Sequence, residues 1–581
     1  MFDLCLPEIQ YFYLDLFKPL YDFLLFYLNV LEFPIEYLIM KSLINLLKTK
    51  EILLALCVFV ALLLHIRSID FPCFNSDEAS FSYNAFSILK TGRDEYGKVM
   101  PLRFQAFGEN KLPVTIYSIV PFIGIFGLNE TATRLPFILM GILMPLLFYW
   151  LSNSLFRNKA IAVITALLVS VSPWIQIMSR HIHEDVIMLV LTVFILQLLI
   201  KATHSFSYKT ISLLALTTGI SLFTYHIGKL LALFVFGWLI AILISQKVSM
   251  KRASKALLII LVPIVLFGVT ELMQPSSRIN NLLFTSDKGF SLTINSLRND
   301  HNSRKIHNKI TYGIQLLSNQ YLSYFSPEFL VSVGDRNNRF GSPGISPISP
   351  IEYVFFFIGI YFIFHHKEKW RFLLSSLLLV APITAALAWQ TSSITRSYLM
   401  IIPLLLSTSY GIYWGIRSIH NKPIKVFVTI LIALLLFFYV FMSWDFYFNH
   451  YPKQTSSLYA WQCGYQKLGS YINNSYDTTD TYYITKRHGQ PYIFTLFYLS
   501  FPPRDYQPQA HLSKLGEYGF GEVESYDKFI FSFKSPDITS HKRISYIGYP
   551  EDFNGTGIEA NDVKKITIQG KEIFWIYEIN K

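Results

Sequence analysis

Residues 113–128 read PVTIYSIVPFIGIFGL, and the topology of the whole chain turns on whether they cross a bilayer. The stretch is apolar but short, with Pro121 near its middle, and a spanning helix needs roughly 20 residues. We read it as re-entrant or interfacial. Eleven other stretches are apolar enough to span: about 51–69, 134–156, 160–178, 185–203, 210–226, 230–246, 256–272, 351–366, 371–389, 397–416 and 424–443. Lys41, Lys48 and Lys50 precede the first, so the positive-inside rule starts it in the cytoplasm. Alternate gaps then hold Arg157 and Lys159; Lys201 and Lys209; Lys247, Lys251, Arg252 and Lys255; Lys367, Lys369 and Arg371; and Arg417, Lys422 and Lys425. All five are basic, as cytoplasmic loops are. Counting 113–128 as a crossing would invert every later loop against the charge rule.

Composition agrees with a polytopic α-helical membrane protein. Of 581 residues, 52% are hydrophobic and 15% charged, against roughly 25% charged in soluble domains. A cytosolic globular protein is excluded. The net charge of +12 sits mostly at the ends of apolar stretches, which sets orientation and is not a nucleic-acid surface. Four cysteines without a CxxC pair exclude a disulfide scaffold and a zinc ribbon. Cys73 and Cys463 both fall outside in this topology, and their pairing is open.

Three parts follow. Residues 1–50, aromatic-rich but interrupted by Asp15, Lys18, Asp22, Glu32 and Glu36, read as a cytoplasmic or interfacial segment, with Met40 an equally good start for the chain. Residues 51–443 form the membrane domain. Residues 444–581 carry short β-type runs (YYIT, FIFSF, RISYIGY, KKITIQ, EIFWIYEI) and read as a small soluble α/β domain outside the membrane. Segments 67–133, 179–185, 273–350 and everything after 443 lie outside, and chemistry is sought there.

After the first span comes FPCFNSDEASFSYNAFSILKTG, with Ala79, Tyr83, Phe86 and Leu89 at helical spacing and Gly92 placed to stop the helix. It reads as an amphipathic helix on the outer membrane surface, capped by Asn75 or Ser76. Asp77 and Glu78 then occupy its first turn about 100° apart, so only one faces a given pocket. Lys111, entering the juxtamembrane stretch, suits either a phosphate or lipid headgroups. A second loop, SPWIQIMSRHIHED, packs Arg180, His181, His183, Glu184 and Asp185 between apolar spans, where charges need partners. Glu184 and, more weakly, His183 are candidate ligands for a divalent metal. Tyr225, His226 and Lys229 close the next external turn.

These residues resemble the GT-C superfamily of integral-membrane glycosyltransferases, especially bacterial relatives of protein O-mannosyltransferases and of the aminoarabinose transferase of lipid A. The resemblance rests on NSDEA after the first span, then GENKLPVTIYSIVPFIGIFGLNETATRLP, then SPWIQIMSRHIHED, in that order over about residues 50–230. SPEFLVSVGDRNNRFG and RSYLMIIPLLLSTSYG also look familiar. The resemblance implies that Asp77 is catalytic, that Lys111 handles the donor phosphate, and that Glu184 is the acid after the SR pair. The HIH between Arg180 and Glu184 departs from the small or apolar residues more usual there.

The resemblance implies a GT-C type fold with juxtamembrane helices in the first external loop. It also implies a membrane hexosyl- or pentosyltransferase, inverting, with a polyprenyl-phosphate sugar as donor and a glycan, lipid or protein as acceptor. Asp77 is the catalytic candidate; Glu78, Lys111, Arg180 and His226 are substrate-binding candidates. A divalent cation, Mg or Mn, is a possible cofactor. The protein is expected in the plasma (inner) membrane with its site outside. The competing reading is a transporter or flippase for a lipid-linked glycan, which calls for charged or broken helices at mid-membrane and a repeat relating two halves.

Overall fold

The computed structural model describes residues 50–579, apart from 69, 108, 275–282, 287, 301–304, 341–344, 389–391, 514–522 and 537–542. The segment expected over 1–50 lies, but for Lys50, outside the described residues. Every one of the eleven apolar stretches is helical. In chain order they are α1 (Lys50–Ile66), α4 (Glu130–Phe156), α5 and α6 (Lys159–Val171, Pro173–Met178), α7 (Glu184–His204), α8 (Tyr208–Leu222), α9 (Ile227–Ser245) and α10 (Met250–Met273). Then follow α11 (Pro350–His365), α12 (Arg371–Val380) with a short continuation Ile383–Ala386, α13 (Ile401–Arg417) and α14 (Lys422–Asp445). The first external loop adds α2 (Ser76–Thr91), a hairpin β1–β2 (Phe104–Ala106, Glu109–Lys111) and α3 (Pro113–Phe126). Six of the described helices are long and apolar enough to cross a membrane.

Local chemistry explains where the others break. Pro173 has no N–H to continue the ladder, so the third stretch splits at Ser172. The freed carbonyl of Val169 instead accepts from Gln176 Nε2 at 2.9 Å, as apolar surroundings require. Small residues set the closest helix pair. A Cβ on Gly359 of α11 would lie 1.8 Å from the Ser407 carbonyl oxygen, and one on Gly411 of α13 would lie 2.1 Å from that of Phe355.

The basic gaps gather at one end of the bundle: Arg157 and Lys369 both reach His204, and Gln246 Nε2 donates to the Ala202 carbonyl. The loops read as external gather at the other. The helix α3 begins and ends at that second end. Tyr117 OH near its start bonds the Pro101 carbonyl, and Glu130 just beyond its end takes the hydroxyl of Tyr498 from the C-terminal part. Both of its ends therefore lie with these loops.

Beyond α14 the chain forms a seven-stranded mixed sheet in the order β4-β5-β6-β3-β7-β9-β8, with central β3 (Thr481–Thr485) parallel to both β6 (Phe529–Ser532) and β7 (Ile544–Gly548). The edge strands β4 (His511–Leu512) and β8 (Lys564–Ile568), and β5 (Val523–Tyr526) and β9 (Lys571–Ile579) next to them, run antiparallel to their neighbours. All five expected β runs are strands; β4 and β5 were not foreseen. Helices α15 (Tyr465–Ser475) and α16 (Pro491–Tyr498) turn this unit toward the membrane part.

One expectation about α2 is corrected. It is not an amphipathic helix lying on a surface, because Ser80, Ser82, Asn84 and Ser87 are buried along with Ala79, Tyr83 and Phe86. The helix α3 packs on one side of it and α16 on another. Phe74 just before it stacks on Phe497 at 4.5 Å, and Tyr83 OH donates to the Phe501 carbonyl at 2.9 Å.

Candidate active site

Asn75 sets the start of α2. Its Oδ1 accepts from the N–H groups of Asp77 and Glu78 at 2.9 and 3.2 Å, while Glu78 Oε2 returns bonds to the Asn75 N–H and Nδ2. This reciprocal cap fixes the first turn and aims its two acids differently. Glu78 points inward and is fully buried. It takes Arg134 Nε and NH2 at 2.7 Å each, and its Oε1 also takes the Ile182 N–H at 3.0 Å. Glu78 is thus corrected from a substrate contact to an internal tie, since no oxygen of it is left for a ligand. Gly92 ends the helix in the left-handed conformation, as expected (φ 66°).

Asp77 points the other way, its side chain 48% exposed. One carboxylate oxygen lies 3.0 Å from Lys111 Nζ, the other 3.1 Å from Arg339 NH1. Lys111 arrives from the end of β2, and Pro113 at once opens α3, so the lysine has little freedom to move away. It is 94% buried, with its ammonium 4.1 Å from the Phe81 ring centroid and 5.2 Å from that of Phe107. The lysine is turned inward to Asp77. Arg339 comes from the long 273–350 segment. Its Nε donates to the Ala460 carbonyl at 3.0 Å, and Tyr451 OH, which itself takes Trp461 Nε1, holds the Arg339 carbonyl.

These groups open into a cavity of about 400 Å³ whose walls include Asn75, Asp77, Lys111, His183, Glu184, Tyr225, Asp335, Arg339 and Arg396. Such a volume falls within the range of small-molecule sites. Burial pushes the Asp335 carboxyl up to about 6, against the Asn337 and Ile394 N–H groups that bond it and the nearby Arg396. Asp335, Arg339 and Arg396 lie in the two later motifs quoted above and were not singled out there. Their signal was the motif and not any local spacing.

Two other expected substrate contacts lie elsewhere. Arg180 is buried away from the cavity, and its guanidinium donates to the carbonyls of Leu64, His65, Arg67, Ser68 and Phe71. It closes the C-terminal end of α1, whose last carbonyls have no helical partner. His226 stands at the start of α9 outside the cavity wall; its neighbour Tyr225 lines the wall instead. Lys229 pairs with Glu271 at 3.2 Å, which Arg103 also bonds at 2.7 Å.

His183 lines the cavity but fits a metal poorly. Burial works against its charged form, yet Asp185 at 3.1 Å, then Glu184 and Asp77, outweigh it and raise the imidazole above its usual value. Its Nδ1 is also engaged by the Asp185 N–H, so the ring has little left to offer a metal on that side. Among the described residues no three His, Cys, Asp or Glu side chains converge on a metal position. Glu184 faces the cavity and is the better donor of the two.

The last part of the frame is covalent: Cys73 and Cys463 form a disulfide beside the start of α2. Fold and site together define a polytopic helical membrane protein that presents a carboxylate between two cations at one end of its bundle. Residues 110–270, from β2 through α10, match the family model described as dolichyl-phosphate-mannose-protein mannosyltransferase. Over this stretch, which holds Lys111, Arg180, Glu184 and His226, the resemblance to GT-C membrane glycosyltransferases is borne out. No protein of curated function matches the chain in sequence. Among solved structures, ArnT from Cupriavidus metallidurans in the apo state is similar at a TM-score of 0.49 and 12% identity, over 90% of this chain and 97% of that one. The same protein bound to undecaprenyl phosphate gives 0.48 and 12% over the same shares. The archaeal oligosaccharyltransferase AglB from Archaeoglobus fulgidus gives 0.44 and 13%, over 77% of this chain and 63% of that one.

Proposed function

We propose that the chain transfers a hexosyl or pentosyl residue from a polyprenyl-phosphate donor to a hydroxyl of a glycan, lipid or protein acceptor, with inversion, on the extracytoplasmic face of the plasma (inner) membrane. The observation that carries this reading is Asp77 held between Lys111 and Arg339 at the mouth of a cavity on the loop side of the bundle. Nucleotide sugars are absent outside the cytoplasm, so a site there draws on a lipid-linked donor, whose tail needs a membrane surface. In this topology residues 51–443 cross the bilayer eleven times and 444–581 form a soluble domain outside.

The chemistry follows from the charges. Without substrate, Lys111 and Arg339 neutralise Asp77. A donor phosphate competes for both cations and leaves the carboxylate to accept a proton. The acceptor oxygen bonds the anomeric carbon and its proton passes to Asp77. The bond from the anomeric carbon to phosphate oxygen breaks, and the electron pair departs on polyprenyl phosphate, stabilised by the two cations. Glu184 would be the ligand of a divalent cation, Mg or Mn, which would add positive charge near the phosphate; no step here depends on it. A transporter or flippase is disfavoured because this charged group sits at helix ends and in loops. The deciding experiment gives purified protein a polyprenyl-phosphate sugar and an acceptor glycan. Release of polyprenyl phosphate without sugar on the acceptor, or no release, defeats the proposal.

A further inference from the structure

On the far side of the Glu78–Arg134 pair lies a second cavity, of about 390 Å³, between the C-terminal unit and the start of α4. We infer that it binds neutral saccharide, and that this saccharide belongs to the acceptor. The second clause rests on the transfer reading; the first does not.

One wall is helix α15, where Gln466, Ser470 and Asn473 recur at one-turn and two-turn spacing and so form a single stripe. All three are uncharged. Opposite stand Asp70 and the first turn of α4. Gly469 lets the helix press against Tyr498, whose Cβ would be 2.5 Å from any Cβ added there. The Tyr498 ring closes the cleft and its hydroxyl bonds Glu130 at 2.7 Å. An adjoining cavity of about 320 Å³ shares Asp70, Glu130, Gln466 and Tyr498 and continues past Cys73, so the groove has room for a chain and not only one ring.

The chemistry selects among ligands. The cations at the back of the cleft are committed: Arg134 to Glu78 and to the Pro72 and Cys73 carbonyls, Arg180 to the carbonyls at the end of α1. The outward groups of the cleft are amides, hydroxyls and carboxylates, and Lys467 in the adjoining cavity bonds the Thr567 carbonyl, so the groove favours an uncharged ligand over a phosphate. Among the described residues, Asp70, Gln466 and Asn473 make no side-chain hydrogen bond or ion pair. Amide and carboxylate groups pair with adjacent hydroxyls, and a tyrosine offers an apolar face with a polar edge. A polyhydroxylated, uncharged ligand fits all of this. The position fits as well, because Arg134 faces this cleft while Glu78, its partner, bonds Asn75 and Ile182 in the wall of the Asp77 cavity. The two cavities thus lie on either side of one buried ion pair.

The test uses the full chain in lipid nanodiscs and saturation-transfer NMR with maltotriose, cellotriose, mannotriose and chitotriose. We expect transfer to at least one trisaccharide, unaffected by inorganic phosphate. It should weaken about tenfold or more in a Gln466→Ala/Asn473→Ala double variant and vanish in Ser470→Trp, which fills the cleft. Asp77→Asn should bind as the parent does, so a failure of the transfer reading leaves this result standing. Linking the bound trisaccharide to diacylglycerol in the nanodisc separates the sources: tighter binding assigns a glycolipid acceptor, equal binding a soluble or protein-borne glycan. No transfer from any of the four, transfer unchanged in both cleft variants, or displacement by phosphate overturns the inference.

Discussion

Ser76 and Gln462, 386 positions apart, meet at 2.8 Å: the Gln462 side-chain oxygen accepts the first N–H of the helix that carries Asp77. The neighbouring residue, Cys463, is bonded to Cys73. Thus a covalent and a hydrogen-bonded restraint from a segment distant in sequence add to the local Asn75 cap at the start of α2.

The two adjacent acids should fail in different ways. Asp77→Asn leaves packing intact and should lower turnover about 10² to 10⁴ fold, roughly 3 to 5 kcal/mol of barrier, with the melting temperature little changed. Glu78→Gln strands a buried Arg134, which costs on the order of 3 to 5 kcal/mol of stability. Parallel activity assays and thermal melts in detergent would check both; a stable Glu78→Gln protein would count against the buried tie.

Replacing either cation should act on the donor. Lys111→Ala and Arg339→Ala are each expected to lower kcat/KM for the lipid-linked sugar about 10 to 100 fold, in line with the loss of one charge-assisted bond of roughly 1.5 to 3 kcal/mol. Acceptor KM should stay near that of the parent. A shift confined to the acceptor would remove phosphate from the account.

Glu95, fully buried beside Tyr492 OH at 3.3 Å, offers a pH test outside the helices of the bundle. Burial first, and Asp94 next, raise it from 4.5 to about 8, with Lys111 and Tyr492 opposing. The folded chain therefore holds a proton that the unfolded chain has lost, and stability should fall as pH rises from about 4.5 through about 8. Glu95→Gln has no such proton to lose. Its melting temperature should decline less over that window, and equal slopes for parent and variant would contradict the assignment.

Sidedness can be read with thiol reagents, since Cys57 is buried and the other native cysteines near the site are paired. A membrane-impermeant maleimide applied to intact cells should label Glu559→Cys and not Lys251→Cys. The reverse pattern would place the cavity in the cytoplasm. Because disulfides persist in oxidising compartments, the same cells should show Cys73–Cys463 on non-reducing peptide mass mapping.

Much of the architecture could be read from apolar runs and basic gaps, because hydropathy and charge act along the chain. The site was only half legible. Asp77 and Lys111 stand in a motif whose order carried the resemblance, and the spacing of Asp77 and Glu78 implied that one would face a pocket. Which of them did so depended on Arg134, a helix away, and spacing holds no trace of that. Arg339 approaches Asp77 from a turn of the 273–350 segment that lies outside its helices. Arg180 looked like a ligand contact since a charge near the bilayer demands partners; the partners turned out to be backbone carbonyls. The uncharged stripe on α15 lay in a region read only for its strands.

The dependence of α2 on Gln462 also has a meaning in time. As the polypeptide is made and inserted, Asp77 and Lys111 emerge early, but the acceptor for the Ser76 N–H and the Ala460 carbonyl that holds Arg339 are among the later parts synthesised. A nascent chain halted anywhere before them has its carboxylate and lysine without the frame that aims them. The frame around Asp77 is therefore complete only once synthesis has passed Gln462, well after the carboxylate and the lysine have been made.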